Sequence, residues 1–177
     1  MSPIAVLVGP PGAGKTTVGR LLAERLDVGF RDTDADVEAT AGKPIADIFV
    51  EDGEERFRDL ERDAVRLALA EHDGMLSLGG GAVLADVTRA LLHDHVVVFL
   101  SVDLPAAATR VGLGQGRPLI GLNPRAQLRE LLHARLPLYC EVATHTVDTS
   151  DVPASVVVER VLAALTGQGS GGVSRRG

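Results

Sequence analysis

The stretch that most constrains this chain is Gly9-Pro10-Pro11-Gly12-Ala13-Gly14-Lys15-Thr16. It fits Gly-x-x-x-x-Gly-Lys-[Ser/Thr], follows directly on the apolar run Ile4-Ala5-Val6-Leu7-Val8, and opens a helical pattern. A strand, a glycine-rich turn and a helix in that order form the setting of a P-loop. Glycines without a Cβ let successive backbone N–H groups turn inward onto a chain of phosphates, while the next helix presents its positive end. Gly12, Ala13, Gly14, Lys15, Thr16 and Thr17 are therefore the candidate nucleotide-binding residues. Lys15 is expected to reach the β- and γ-phosphates of ATP or GTP, and the Thr16 hydroxyl to ligate Mg²⁺.

A chain of 177 residues has room for one α/β domain with a substantial core and little room for a second. We expect a single domain over residues 1–166 and a tail over 167–177, whose Gly- and Ser-rich composition is that of disorder. The net charge of −6 excludes a broad basic field for nucleic acid. Only Lys15 and Lys43 are lysines, so the remaining basic residues are arginines to be read one by one. Cys140 stands alone, which excludes a disulfide framework and is read as a buried, inert thiol in a reducing compartment. The five histidines make no ligand spacing, and no zinc is implied. Met1-Ser2-Pro3 lacks a basic leader, and no apolar run approaches the roughly eighteen residues of a membrane span. The expected setting is cytoplasmic, with no membrane partner.

Along the chain, Ile4 to Val8 reads as a strand buried on both faces of a parallel sheet. The apolar stripe Val18, Leu21, Leu22 and Leu26 reads as a helix packed on it. Asp32-Thr33-Asp34 follows. Two carboxylates two residues apart in an extended chain point to one side, about 7 Å apart. Asp32 is then placed to hold a water of the Mg²⁺ shell and Asp34 to address a substrate hydroxyl; read alone, the triplet serves as well to cap a helix from about Ala35. Residues 35 to 71 are mostly helical by spacing, with Gly42 and Gly53 as stops and Pro44 at a helix start. Phe57, Leu60, Ala64, Leu67 and Ala68 share one face there. Arg58 lies one turn from Glu61, and alone reads as an ordinary surface ion pair with Glu54 or Glu61.

Met75 to Leu78 reads as the next strand, and Gly79-Gly80-Gly81 at its carboxyl end puts bare backbone amides where sheets of this kind bind ligands. Asp86 opens a short helix, His95 to Ser101 is a strand, and Asp103 caps a helix to about Val111. Gly112 to Gly121 holds four glycines around Arg117 and no periodicity, which predicts a mobile lid over about 112–123 whose arginine reaches the γ-phosphoryl on closure. Asn123-Pro124 starts a helix carried to Arg135, Ala143 to Asp148 is a fifth strand, and Asp151 is expected to cap a last helix through Leu165. Strands alternating with helices give a three-layer αβα fold around a five-stranded parallel sheet, with ligands along its carboxyl edge. If Arg58 and Arg135 converge there, the second ligand is an anion, because the guanidinium fork matches a carboxylate or phosphate. Asp34 adds a preference for a hydroxyl donor.

As an ordered set, several motifs resemble the shikimate kinase family. They are Asp32-Thr33-Asp34, Ile45-Ala46-Asp47-Ile48-Phe49 with Gly53-Glu54 and Phe57-Arg58, then Leu78-Gly79-Gly80-Gly81-Ala82, Arg117-Pro118-Leu119 and Arg135-x-Pro137-x-Tyr139. The resemblance covers about residues 4 to 165. It implies transfer of the ATP γ-phosphate to the 3-hydroxyl of shikimate, on the route to aromatic amino acids, by a monomer. By matching position, Asp34 holds and deprotonates the acceptor hydroxyl, and Arg58, Arg135 and the Gly79, Gly80 and Gly81 amides fix shikimate in a substrate region spanning about 33–61. Phe49, Phe57 and Glu61 line that pocket, Lys15 and Arg117 act on the transferring phosphoryl, Arg110 lies near the adenine, and Thr16 and Asp32 serve Mg²⁺. The chain departs from the family after the fifth strand, where Ser150-Asp151-Val152-Pro153 offers an aspartate in place of a basic residue over the adenine. Gluconate kinases and other small-metabolite kinases share the loop and carboxylate logic, and a nucleotide sensor without turnover is the reading from another class. No Asn-Lys-x-Asp motif of a GTPase occurs.

Overall fold

Short apolar strands that alternate with amphipathic helices bury both their faces only when they lie side by side between two helical layers. The computed structural model describes residues 1–112 and 123–167. Its strands are β1 (Ala5–Val8), β2 (Phe30–Asp32), β3 (Met75–Ser77), β4 (Val97–Ser101) and β5 (His145–Asp148). They form one parallel sheet in the order β2-β3-β1-β4-β5. The helices are α1 (Lys15–Leu26), α2 (Thr33–Ala41), α3 (Ile45–Glu51), α4 (Glu54–Glu71), α5 (Asp86–Leu92), α6 (Leu104–Arg110), α7 (Pro124–Val142) and α8 (Ala154–Leu165).

The alternation of strand side chains divides the core in two. Ala5 and Leu7 of β1 join Val18, Leu22 and Ala23 of α1 and Val157, Val158 and Val161 of α8. Val6 and Val8 face the other way, onto Val65, Ala68 and Leu69 of α4, Leu92 of α5, and Tyr139 and Val142 of α7. A smaller cluster, Val37, Ile48, Phe57, Leu60 and Ala64, ties α2 and α3 to the near end of α4. That cluster holds the residues 33–61 beside the carboxyl edge of the sheet.

Several expectations shift by a residue or by a face. On α1 the buried stripe is Val18, Gly19, Leu22 and Ala23, while Leu21 and Leu26 are exposed. A Cβ on Gly19 would lie 3.2 Å from Leu7 Cδ1, so the glycine lets α1 sit closer to the sheet than the leucine stripe suggests. On α4, Val65 and Leu69 are buried where Leu67 is exposed. Pro44 caps α3 from one residue outside it, and Gly53 is the N-cap of α4 with φ 86°. Asp103 and Asn123 do cap their helices, accepting from the N–H groups of Ala106 and Ala126. Asp151 does not cap α8: it sits in a left-handed turn at φ 54°, and Pro153 holds the N-cap position.

The helix begun at Pro124 does not stop near Arg135 but runs through Pro137 to Val142. A proline there removes one backbone bond, and the packing of Tyr139 and Val142 in the core offsets that loss. Cys140, next to buried Tyr139 on the helix, is exposed rather than buried. The expected lid lies almost wholly outside the described residues, as does the tail beyond Gly167. Among the described residues no helix is long and apolar enough to cross a membrane.

Because Leu7 is fully buried in the central strand, Leu7→Ala should cost about 2–5 kcal/mol. Thermal unfolding followed by circular dichroism should show a midpoint lower by roughly 5–15 °C.

Candidate active site

Every strand of a parallel sheet ends on the same edge, so the loops after β1, β2 and β3 are brought together whatever their sequences. The loop after β1 turns into α1 through Gly12 at φ 80° and Gly14 at φ 86°, both in the left-handed region that glycine enters without penalty. Gly14 is the N-cap and offers no side chain, which leaves the first N–H groups of α1 without a cap. Lys15 folds back over the loop, and its Nζ donates to the carbonyls of Gly9 at 2.7 Å and Pro10 at 3.1 Å. Burial lowers its pKa to about 8, against the opposing pull of Asp34 and Asp32.

The loop after β2 performs the capping expected of Asp32-Thr33-Asp34 and turns Asp32 toward the P-loop, in a different conformation. Asp32 is extended and caps α2, its Oδ1 accepting from the N–H of Asp34 at 2.9 Å. Asp34 therefore belongs to the first helical turn, not to an extended pair, because the capping bond closes the helix around it. The other carboxylate oxygen of Asp32, Oδ2, accepts from the Thr16 hydroxyl at 3.2 Å. One aspartate thus caps the helix and faces the P-loop at once. A cavity of about 390 Å³ is lined by Gly12, Gly14, Lys15, Thr16, Thr17, Asp32, Asp34 and Arg110, among others. Arg110 donates to the carbonyl of Gly12 at 3.1 Å and to the Thr149 hydroxyl at 2.9 Å. It also lines a neighbouring slot of about 230 Å³ with Ala13, Val18, Thr149, Val152 and Ala154. The slot's apolar walls suit a flat ring beside the phosphate cavity.

The loop after β3 gives each of its three glycines a different charged neighbour. A Cβ on Gly79 would collide with the Asp34 carboxylate and lie 3.2 Å from Glu61 Oε2. A Cβ on Gly80 would lie 3.5 Å from Arg135 Nη1. One on Gly81 would collide with the Arg58 guanidinium. Side chains from α2, α4 and α7 therefore reach the same turn, and at Gly79 and Gly81 only bare backbone leaves room for them. The N–H of Gly79 donates to the buried Thr33 hydroxyl at 3.3 Å. Those of Gly80 and Gly81 find no acceptor among the described residues. Gly81 is buried, and a buried donor without a partner is costly unless a ligand supplies one.

The ion pair expected of Arg58 forms, and the same guanidinium reaches the glycine turn. Its Nη1 donates to Glu61 Oε1 at 2.8 Å, Nη2 lies 3.6 Å from Glu54 Oε1, and the guanidinium stacks 5.2 Å from the centre of the Phe57 ring. Phe49 packs on Phe57 at 4.7 Å between centroids. Burial pushes the Glu61 carboxyl up while Arg58 pulls it down. Asp34 is pushed up to about 6, first by burial and then by Asp32 and Glu61, with Lys15 opposing. Arg117 lies outside the described residues. Two residues that sequence reasoning gave no role also belong here. Thr33 holds the glycine turn, and Tyr139 donates to the Gly80 carbonyl at 2.5 Å. Tyr139 was visible only as a motif letter, four residues after Arg135 and so on the same helical face. As a whole, the site offers a phosphate cradle and, beside it, two cations, a carboxylate and free amides suited to a small hydroxylated anion.

Comparison with known proteins agrees with this geometry. A family model described as shikimate kinase matches residues 11–166. A shikimate kinase of Saccharopolyspora erythraea is 61% identical over 173 residues, covering 97% of this chain and 99% of that protein. The solved structure of a shikimate kinase from Acinetobacter baumannii in complex with shikimate superposes with a TM-score of 0.88 at 36% identity, over 95% of this chain and 94% of that one. A gluconokinase from Sinorhizobium meliloti shares only the fold, with a TM-score of 0.55 at 21% identity over 93% of this chain and 91% of its own. On sequence and structure alike, the chain belongs to the shikimate kinase family.

Proposed function

We propose that this chain transfers the γ-phosphoryl group of ATP to the 3-hydroxyl of shikimate, giving shikimate 3-phosphate and ADP for aromatic amino acid synthesis. The observation that carries the reading is the glycine turn, on which Asp34, Arg135 and Arg58 converge next to the P-loop. A carboxylate between two guanidinium groups and a hydroxyl at Asp34 describe a small hydroxy-acid bound in one orientation. The acceptor oxygen attacks the γ-phosphorus, the bond to the β,γ-bridging oxygen breaks, and the hydroxyl proton passes to Asp34.

The protein's part is positioning and charge. Lys15, now bonded to the carbonyls of Gly9 and Pro10, exchanges them for phosphate oxygens. Gly12, Ala13, Gly14, Thr16 and Thr17 supply the cradle, Arg110 the wall of the adenine slot, and Arg117 a further cation from the lid. Phe49 and Phe57 give the sugar-like ring an apolar wall, and Glu61 holds Arg58 in place. Thr16 Oγ1 and Asp32 Oδ2, 3.2 Å apart, are hard oxygen donors of the kind Mg²⁺ takes; Thr16 would ligate the ion and Asp32 would hold one of the several waters it keeps. When bound there, the ion neutralises charge on the β- and γ-phosphate oxygens. We further propose that residues 1–166 act as one kinase domain, as a monomer in the cytoplasm.

ADP release with Mg²⁺-ATP, measured in parallel with shikimate, gluconate and nucleoside monophosphates, tests the reading. Turnover is expected with shikimate alone; turnover only with another acceptor would reassign the pocket, and none with any would make the chain a nucleotide sensor. Asp34→Asn should lower turnover by roughly 100-fold or more, with ATP affinity by calorimetry unchanged within a few-fold. A carboxyl raised to about 6 accepts no proton when protonated. The kcat/KM for shikimate should therefore be level above that pH and fall about tenfold per unit below it. A profile flat down to pH 5 would remove Asp34 as the base.

A further inference from the structure

Tyr139 is among the most deeply buried large side chains of the molecule, yet its polar end is turned to the site rather than to the core. Its ring stacks on Phe99 of β4 at 5.0 Å between centroids and 20° between planes. Its hydroxyl donates to the carbonyl of Gly80 at 2.5 Å, and the Arg135 guanidinium, one turn earlier on α7, lies beside the same glycine, its Nη1 3.5 Å from where a Gly80 Cβ would be. We infer that Tyr139 is a positioning residue of the acceptor site, its hydroxyl locking the Gly80–Gly81 peptide and steadying Arg135 above it. The inference rests on the acceptor reading of the glycine turn given above.

In a trans peptide the C=O and the following N–H point in opposite directions, so fixing the Gly80 carbonyl toward α7 turns the Gly81 N–H away from it. That N–H has no acceptor among the described residues. Three consecutive glycines otherwise leave such a plane free to rotate, because no Cβ restrains φ and ψ. Thr33 holds Gly79, and the Ala82 N–H donates to the Gly79 carbonyl at 3.0 Å, so the Tyr139 hydroxyl, on a ring stacked against β4, adds the bond that holds the Gly80–Gly81 peptide itself. Burial pushes the phenol up to about 12, so it stays a neutral donor throughout the working pH range. Its oxygen lone pairs remain free to accept from Arg135. Phe99 stacks on the ring and offers no hydrogen-bonding group of its own, so packing and hydrogen bonding can be separated by substitution.

Tyr139→Phe keeps the ring and deletes the bond. The expected result is a KM for shikimate on the order of tenfold higher, as when a buried carbonyl loses its donor, with the KM for ATP within twofold of wild type. Phe99→Leu is the packing control, expected to lower the thermal midpoint while leaving the shikimate KM within about twofold. An unchanged shikimate KM in Tyr139→Phe would overturn the inference, and so would equal rises in both KM values, which mark general loosening. If Tyr139→Phe fails to fold, Tyr139→Met, which keeps apolar bulk and likewise has no O–H donor, decides by the same ratio of the two KM values: a selective rise in the shikimate KM supports the inference, and no selective rise overturns it. Wild-type turnover with shikimate is measured first. Its failure would sink the acceptor reading alone, and the same ratio would then be taken with whichever hydroxy-acid is turned over.

Discussion

The parallel pairing of β1 with β3 is the contact on which the rest of the site depends. Leu7 lies opposite Ser77, and the Leu78 N–H donates to the Leu7 carbonyl at 3.1 Å. Two residues beyond that register the chain becomes Gly9 on one side and Gly79 on the other, so the phosphate loop and the acceptor turn emerge together. A slip of one residue would displace the turns by about 3.3 Å and exchange the inward and outward faces of the strand. The apolar identity of Ala5, Val6, Leu7 and Val8, all buried, resists that slip, since both faces are held in a core.

The edge so formed concentrates charge in poorly hydrated surroundings. Lys15 is lowered to about 8 and Asp34 raised to about 6, and in each the first cause is burial, which disfavours the ionised form. Each is partly relieved by the other. Arg58, bonded to Glu61 at 2.8 Å, likewise opposes the rise that burial imposes on the Glu61 carboxyl. A guanidinium has five donors, and the hydrogen bond to Glu61 with the ion pair to Glu54 leaves others free for an incoming anion. Groups already arranged and already stripped of water need little reorganisation when charge develops in a transition state. The same arrangement explains Gly79 and Gly81, because side chains there would displace the Asp34 carboxylate and the Arg58 guanidinium.

Much of this was legible in the chain itself, for local reasons. The order of strand, Gly-x-x-x-x-Gly-Lys-Thr and helix depends on neighbours a few residues apart, and so does the capping chemistry of Asp103 and Asn123. Periodicity located the helices but misjudged some faces: Leu21, Leu26 and Leu67 lie outward, where Gly19 and Val65 pack inward. The reason is that a hydrophobic stripe records composition, while burial depends on how closely a given helix approaches the sheet. Asp151 failed as a cap because its backbone is left-handed, a conformation set by the turn leaving β5. Pro137 inside α7 misled for a related cause, since tertiary packing of Tyr139 and Val142 outweighs the local preference to stop.

Sequence by itself determined the phosphate cradle, the alternation of strand and helix, and the membership of Asp32, Asp34, Gly79, Gly80 and Gly81 in one edge. Those are properties of short segments whose conformation follows from glycine, from capping side chains and from apolar spacing. Only the tertiary structure decided that Arg58 and Arg135, 77 positions apart by their numbers, meet over the same turn. It also decided that Asp32 serves a helix and the P-loop at once, and that Tyr139 reaches the Gly80 carbonyl. Such contacts join α2, α4 and α7 across the sheet, and no local rule of chain conformation encodes the distance between residues that meet only when the core closes.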